Sequence, residues 1–98
     1  MLVKIHTSYR NVVAICDSNL VGKIFEDGNK QIFVNPNFFQ GEEKTKEQIE
    51  EIIEEGMAED FTFNIVGEES VGIALKKGAI KEEGVIKIQN IPIALVLL

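Results

Sequence analysis

Ninety-eight residues with 45 % hydrophobic and 27 % charged side chains describe one globular domain, residues 1–98, and exclude a mainly disordered chain or a second core. Ten Lys and Arg against sixteen Asp and Glu leave a net charge of −6, which disfavours direct nucleic-acid binding, because that contact is driven by cations displacing counterions. Cys16 is the single cysteine, the opening residues carry no signal-peptide pattern, and the most apolar run, residues 91–98, is much shorter than the roughly 20 residues of a spanning helix. A reducing, cytoplasmic setting away from the membrane is the expectation.

Residues 1–17 predict a hairpin: β-branched runs at 2–6 and 11–16 flank Thr7-Ser8-Tyr9-Arg10. If residues 5 and 13 pair, Val3, Ile5, Val13 and Ile15 share one face, while Lys4, His6, Val12, Ala14 and Cys16 share the other. Asp17 or Ser18 then caps a turn. A second hairpin is predicted from residues 22–26 and 30–34 around Asp27-Gly28-Asn29, since an Asp-Gly pair tolerates the positive φ of a tight turn. Asn35-Pro36-Asn37 ends that strand, and Phe38-Phe39-Gln40-Gly41 reads as a loop.

The clearest element is a helix opened by Thr45 and Gln48 at capping-box spacing. Ile49, Ile52, Ile53 and Met57 form its apolar stripe, and Gly56 is the expected end. Residues 61–66 read as a partly buried strand, and 68–77 as a short helix with Val71, Ala74 and Leu75 inward and Gly78 at its stop. Residues 85–88 form another strand, so strand, helix and strand fit a crossover between parallel strands. Ile93 to Leu98 is a final strand with Pro92 at its start. The fold class is α+β: a mixed, mainly antiparallel sheet from two N-terminal hairpins, two covering helices and one β-α-β crossover near the C-terminus.

Reactive groups are sparse. His6 is the one histidine, and the hairpin register puts it about 13 Å along the strands from Cys16, too far for a nucleophile and base. Too few Cys and His are present for a typical zinc site, and the glycines match no phosphate-loop or dinucleotide spacing, so no metal or cofactor is expected. Gly67 leads into a helix N-terminus that would attract an anion, but Glu68 and Glu69 already stand there.

Residues 42–60 carry nine acids against Lys44 and Lys46, a net of −7, which leaves +1 for the rest. Glu50, Glu51, Glu54 and Glu55 make either a solvated helix face or a dock for a basic protein partner. Phe25, Phe33, Phe61 and Phe63 are assigned to the core. Phe38 and Phe39, with Tyr9-Arg10 and Lys23, are a candidate contact patch. The apolar Leu95-Val96-Leu97-Leu98 run requires burial, either within the chain or by strand addition in a homodimer.

Five segments, in their order and spacing, resemble the archaeal domain of unknown function 424 family along nearly the whole chain. They are Val3-Lys4-Ile5-His6, Asp17 to Lys23 ending Leu20-Val21-Gly22-Lys23, Phe38-Phe39-Gln40-Gly41-Glu42, Asn64-Ile65-Val66-Gly67-Glu68, and Val85 to Pro92. The resemblance implies a small cytoplasmic archaeal protein with no assigned reaction. The family pattern often places a histidine after the proline matching Pro92, where this chain has Ile93.

The functional expectation is a non-enzymatic protein-interaction module, by analogy an accessory to translation or RNA metabolism. The alternative is a small-ligand binder or enzyme using Asn64, Gly67, Glu68 and Ser70 at a strand-to-helix junction.

Overall fold

The structure is a computed structural model that describes residues 1–96. Among these residues the main sheet has six strands, and a separate hairpin makes a second, two-stranded sheet. Strands β1 (Leu2–His6) and β2 (Val12–Cys16) form the predicted hairpin, with Ile5 opposite Val13 and Leu2 opposite Cys16. This is the register that separates Cys16 from His6. The parallel neighbour of β2 is β6 (Thr62–Val66), which places Ile15 beside Ile65.

The second hairpin, β3 (Ile24–Asp27) and β4 (Lys30–Phe33), turns at Gly28, whose φ is +64°. It does not join the main sheet as expected. It lies over one face instead, because Phe25 and Ile32 pack with Leu20, Val34 and Val66 in a second core cluster.

The segment predicted as a loop contains a four-residue helix, α1 (Pro36–Phe39). Asn35 caps it by accepting from the Asn37 amide, and Pro36 occupies the first helical position, where no backbone donor is lost. Phe39 is consequently buried. A two-residue strand, β5 (Glu42–Glu43), then pairs with β1 at the sheet edge.

Helix α2 (Lys46–Ala58) starts with the predicted capping box, Thr45 accepting from Gln48 N while Gln48 Oε1 accepts from Thr45 N. It runs past Gly56 to Ala58. Gly56 is a packing residue on the inner face, since a Cβ there would lie 2.5 Å from the Phe63 ring. The ring of Phe63 thus takes the place an apolar α2 side chain would fill, and Met57 is left at the surface.

Helix α3 (Glu68–Lys76) returns beside α2, with Val71, Ile73 and Ala74 buried and Gly78 stopping it at φ +79°. Strand β7 (Ile86–Ile88) follows and pairs antiparallel with β8 (Ile91–Val96). Strand β8 also pairs antiparallel with β6, so β6 and β7 run parallel with β8 inserted between them. The main-sheet order is β5-β1-β2-β6-β8-β7, and the fold is α+β.

Alternation gives the sheet two different faces. Val3, Val13, Ile15, Phe63, Ile65 and Ala94 meet α2 and α3, where Ile49 and Ile53 are fully buried. Each such isoleucine contributes about 1.5 to 3 kcal/mol by leaving water. Leu2, Ala14, Cys16, Val66 and Ile93 point to the opposite side, toward the β3–β4 hairpin and α1.

Of the C-terminal apolar run, residues 93–96 pair with β6 along one edge, and on the other edge Ile93 pairs with Ile86 of β7. Leu97 and Leu98 lie outside the described residues.

Candidate functional site

The strand-to-helix junction at residues 64–70 is built differently from the predicted site. Gly67 holds φ +115°, and α3 begins directly after it with no capping side chain of its own. The cap comes from Asp17, fifty residues earlier in the sequence. Its carboxylate accepts from Glu69 N at 3.1 Å, Ser70 N at 2.8 Å and Ser70 Oγ at 2.7 Å. The Asp17 amide in turn donates to Val66 O at 3.0 Å, tying the end of β2 to the end of β6.

The free amides and helix dipole that would draw a phosphate therefore hold an internal carboxylate. Only glycine fits at 67, because a Cβ there would stand 2.3 Å from the Asp17 carboxyl carbon. The expected local cap by Asp17 is a long-range one, and Ser70 is fully buried beneath it.

Cys16 is also fully buried, and burial followed by the neighbouring Asp17 charge pushes its thiol up to about 11. Such a thiol stays protonated and unreactive near neutral pH.

Asn64 is not part of that junction. Side chains alternate along β6, so Phe63 and Ile65 face the helices, whereas Asn64 and Val66 face the hairpin. The four predicted junction residues are thus divided: Ser70 sits under Asp17, Glu68 is exposed at the start of α3, Gly67 is the turn, and Asn64 lies across the sheet.

Asn64 instead joins Phe39, another predicted residue, in a hollow of about 310 Å³ walled by Ile32, Phe33, Phe38 and Leu95. A second hollow of about 350 Å³ adjoins it and shares Ile32, Ile93 and Leu95, extending the trough to Ile86 on β7. Leu95 is 65 % exposed, Ile86 49 % and Phe33 47 %. The expectation that Phe33 is core is therefore corrected. It lies opposite Ile24 on the hairpin, and both are largely exposed.

The trough is held from below. His6 stacks on Phe38 with ring centroids 4.5 Å apart and donates from Nε2 to Phe38 O at 2.8 Å, so that nitrogen carries the proton. Phe38 meets Phe39 edge-on at 5.1 Å. Lys4 donates to Asn37 O at 2.9 Å. These contacts fix α1 to β1 and set the aromatic wall. Among the described residues the Asn64 carboxamide has no hydrogen-bond partner.

The other predicted contacts are dispersed. Tyr9 is fully exposed at the β1–β2 turn, in a polar hollow with Asp60 and Phe61, while Lys23 is exposed at the base of the second hairpin.

On α2, Glu50 pairs with Lys76 at 3.3 Å, and Glu54 with Lys77, so α3 engages two of the four predicted glutamates. Hydrogen bonding to Glu54 raises the Lys77 ammonium above its ordinary value. Glu51 and Glu55 remain exposed, in line with Glu47. At the sheet edge Glu43 accepts from the Met1 α-amino group and from Ser18 Oγ, and these bonds lower its carboxyl below the usual range.

Among the described residues no group of three or more His, Cys, Asp or Glu stands where it could hold a metal ion, and no helix is long and apolar enough to cross a membrane. Fold and site define a small α+β protein with one sheet face closed by helices and the other left as an apolar trough. The chain belongs to the family described as protein of unknown function (DUF424), whose model matches residues 5–98. Its fold is similar to the crystal structure of an uncharacterized conserved protein from Methanopyrus kandleri, with a TM-score of 0.81 at 20 % identity, covering 97 % of this chain and 88 % of that one. No curated protein matches the chain.

Proposed function

We propose that this chain is a non-enzymatic protein-interaction module of the archaeal cytoplasm and that the apolar trough is its contact surface. The observation that carries the reading is the grouping of Phe33, Ile86 and Leu95, all about half exposed or more, around two adjoining hollows. Single exposed apolar residues are ordinary, but a contiguous patch rimmed by polar surface marks an interaction site. The archaeal setting is supported by the Methanopyrus likeness, and the cytoplasm by the single buried thiol.

A basic partner remains a separate, second contact. The outward row Glu47, Glu51 and Glu55 lies on α2, which packs on the other face of the sheet. The ligand-site alternative has less support, because Asn64 and Ser70 lie on opposite sides of the sheet and Ser70 is occupied by Asp17.

The test is affinity capture from native archaeal extract with the wild-type chain, a Phe33→Lys/Leu95→Lys variant and a Glu47→Lys/Glu51→Lys/Glu55→Lys variant. The trough variant is expected to lose a specific protein that the wild-type chain retains. Identical proteins on wild-type and trough-variant chains, both folded, overturn the reading. Reversing the outward row alone leaves the Lys76 and Lys77 pairs intact, so loss there reports the acidic contact and not a broken helix seam.

A further inference from the structure

We infer that the trough takes an uncharged, extended segment of a partner protein, with apolar side chains at positions i and i+2 and its backbone held by Asn64. This rests on the interaction reading above and adds the chemistry of the occupant. Three observations carry it.

The first is charge. In a chain where 27 % of residues are charged, none of the residues lining either hollow carries a charge. A charged segment entering there would lose water and find no counter-charge. The complementary occupant is neutral.

The second is spacing. The two hollows share Ile32, Ile93 and Leu95 in their walls, so they lie side by side on this face. Side chains on the same side of an extended backbone recur every second residue, roughly 6.5 to 7 Å apart. An extended occupant would therefore present alternate side chains to neighbouring hollows.

The third is Asn64. Asparagine is depleted from strands, yet this one stands inside a six-stranded sheet, between Ala14 and Leu95 in register, and faces the trough. Its carboxamide offers donors and an acceptor together, is only partly buried, and makes no side-chain hydrogen bond to the described residues, so it is open to an incoming group. An extended backbone presents a free N–H and a free C=O to such a group. A helix spends its backbone groups internally and would leave Asn64 unpaired beneath it. The unpartnered amide thus selects a strand-like occupant over an amphipathic helix.

The experiment is an amide-resolved NMR titration of the whole chain with blocked heptapeptides in a serine and glycine background. One carries leucine at its third and fifth positions, one carries leucine at its third and fourth, and a third repeats the first with the amide between the leucines N-methylated. A stapled helical peptide with leucines four apart and free adenosine complete the set.

The first peptide is expected to give saturable shifts at Ile32, Asn64 and Leu95, with at least tenfold weaker binding for the adjacent-leucine and N-methylated versions. Asn64→Leu, close in shape, is expected to weaken the first peptide about tenfold while its spectrum stays that of a folded chain. If the variant does not fold, the peptide comparison on the wild-type chain decides alone. Equal binding by all extended peptides, no saturable shift with any of them, or preference for the helical peptide or adenosine overturns the inference.

The two proposals fail separately. Loss of the captured protein by the Phe33→Lys/Leu95→Lys chain without peptide discrimination removes the extended-segment chemistry and leaves the interaction reading. Clear peptide discrimination with every captured protein retained does the reverse.

Discussion

The two faces of the sheet are made from the same alternating strands, yet one is sealed and the other is not. On the helix side, α2 and α3 bring Ile49, Ile53, Val71 and Ala74 onto Val13, Ile15, Phe63 and Ile65, all 2 % exposed or less. On the hairpin side, the β3–β4 layer supplies Phe25 and Ile32, both half-buried, and leaves Leu95 and Ile86 in water. The difference lies in the cover. Two helices with continuous apolar stripes close one face, whereas two four-residue strands and one helical turn cannot span the other. Apolar surface that the fold does not use is surface a partner can use, and that asymmetry sets the sealed core apart from the proposed contact region.

Substitutions can break the comparison. The largest expected effect is on the sealed side: Ile53→Ala removes fully buried methyl groups and leaves a cavity, and is expected to cost about 3 to 4 kcal/mol, read from the urea midpoint. A loss under about 1 kcal/mol would show that this face is not close-packed.

Next is Asp17→Ala, which strips the start of α3 of its three hydrogen bonds and leaves buried donors behind. A cost of about 2 kcal/mol is expected in chemical denaturation, with loss of amide protection in α3 before the rest of the sheet. Uniform loss of protection would mean that the cap acts through the whole fold and not through the helix.

The smallest effect belongs to the open side. Leu95→Gln is expected to change stability by less than about 0.5 kcal/mol, since its side chain is largely in water already. A large drop in melting temperature would make Leu95 part of the core and erase the contrast between the faces.

Much of the architecture can be read from local signals. The Thr45–Gln48 box and the isoleucine stripe mark α2, and alternation in residues 2–6 and 12–16 sets both the pairing and the division of faces. What escapes has definite causes. Helix α1 is only four residues long, too short for a helical period, and its signal is the Asn35-Pro36 pair, a cap followed by the residue best suited to a first helical position. The independence of the second hairpin and the insertion of β8 between β6 and β7 are long-range choices that no window of sequence contains.

The candidate site follows the same rule. The sequence places Asn64 at a strand-to-helix junction and Phe39 in a separate contact patch, and their meeting depends on α1 folding over the sheet. The cap by Asp17 had one trace, a helix opening at Gly67 with no side chain to hold its amides, which implies a donor-satisfying group from elsewhere. Alternation in a two-stranded ribbon does not tell which apolar residues the rest of the chain will cover, so Phe33 reads as core although it lines an open hollow and stays 47 % exposed.

The position of β8 has a kinetic consequence. Strand β7 precedes β8 in the chain, but its neighbour in the main sheet is β8, so β7 has no ladder until β8 is in place. The ladder closes only after the following residues turn back and enter between two segments already synthesised. Closure of the sheet therefore waits on β8, and until it inserts, the facing edges of β6 and β7 stand open to pairing with other chains.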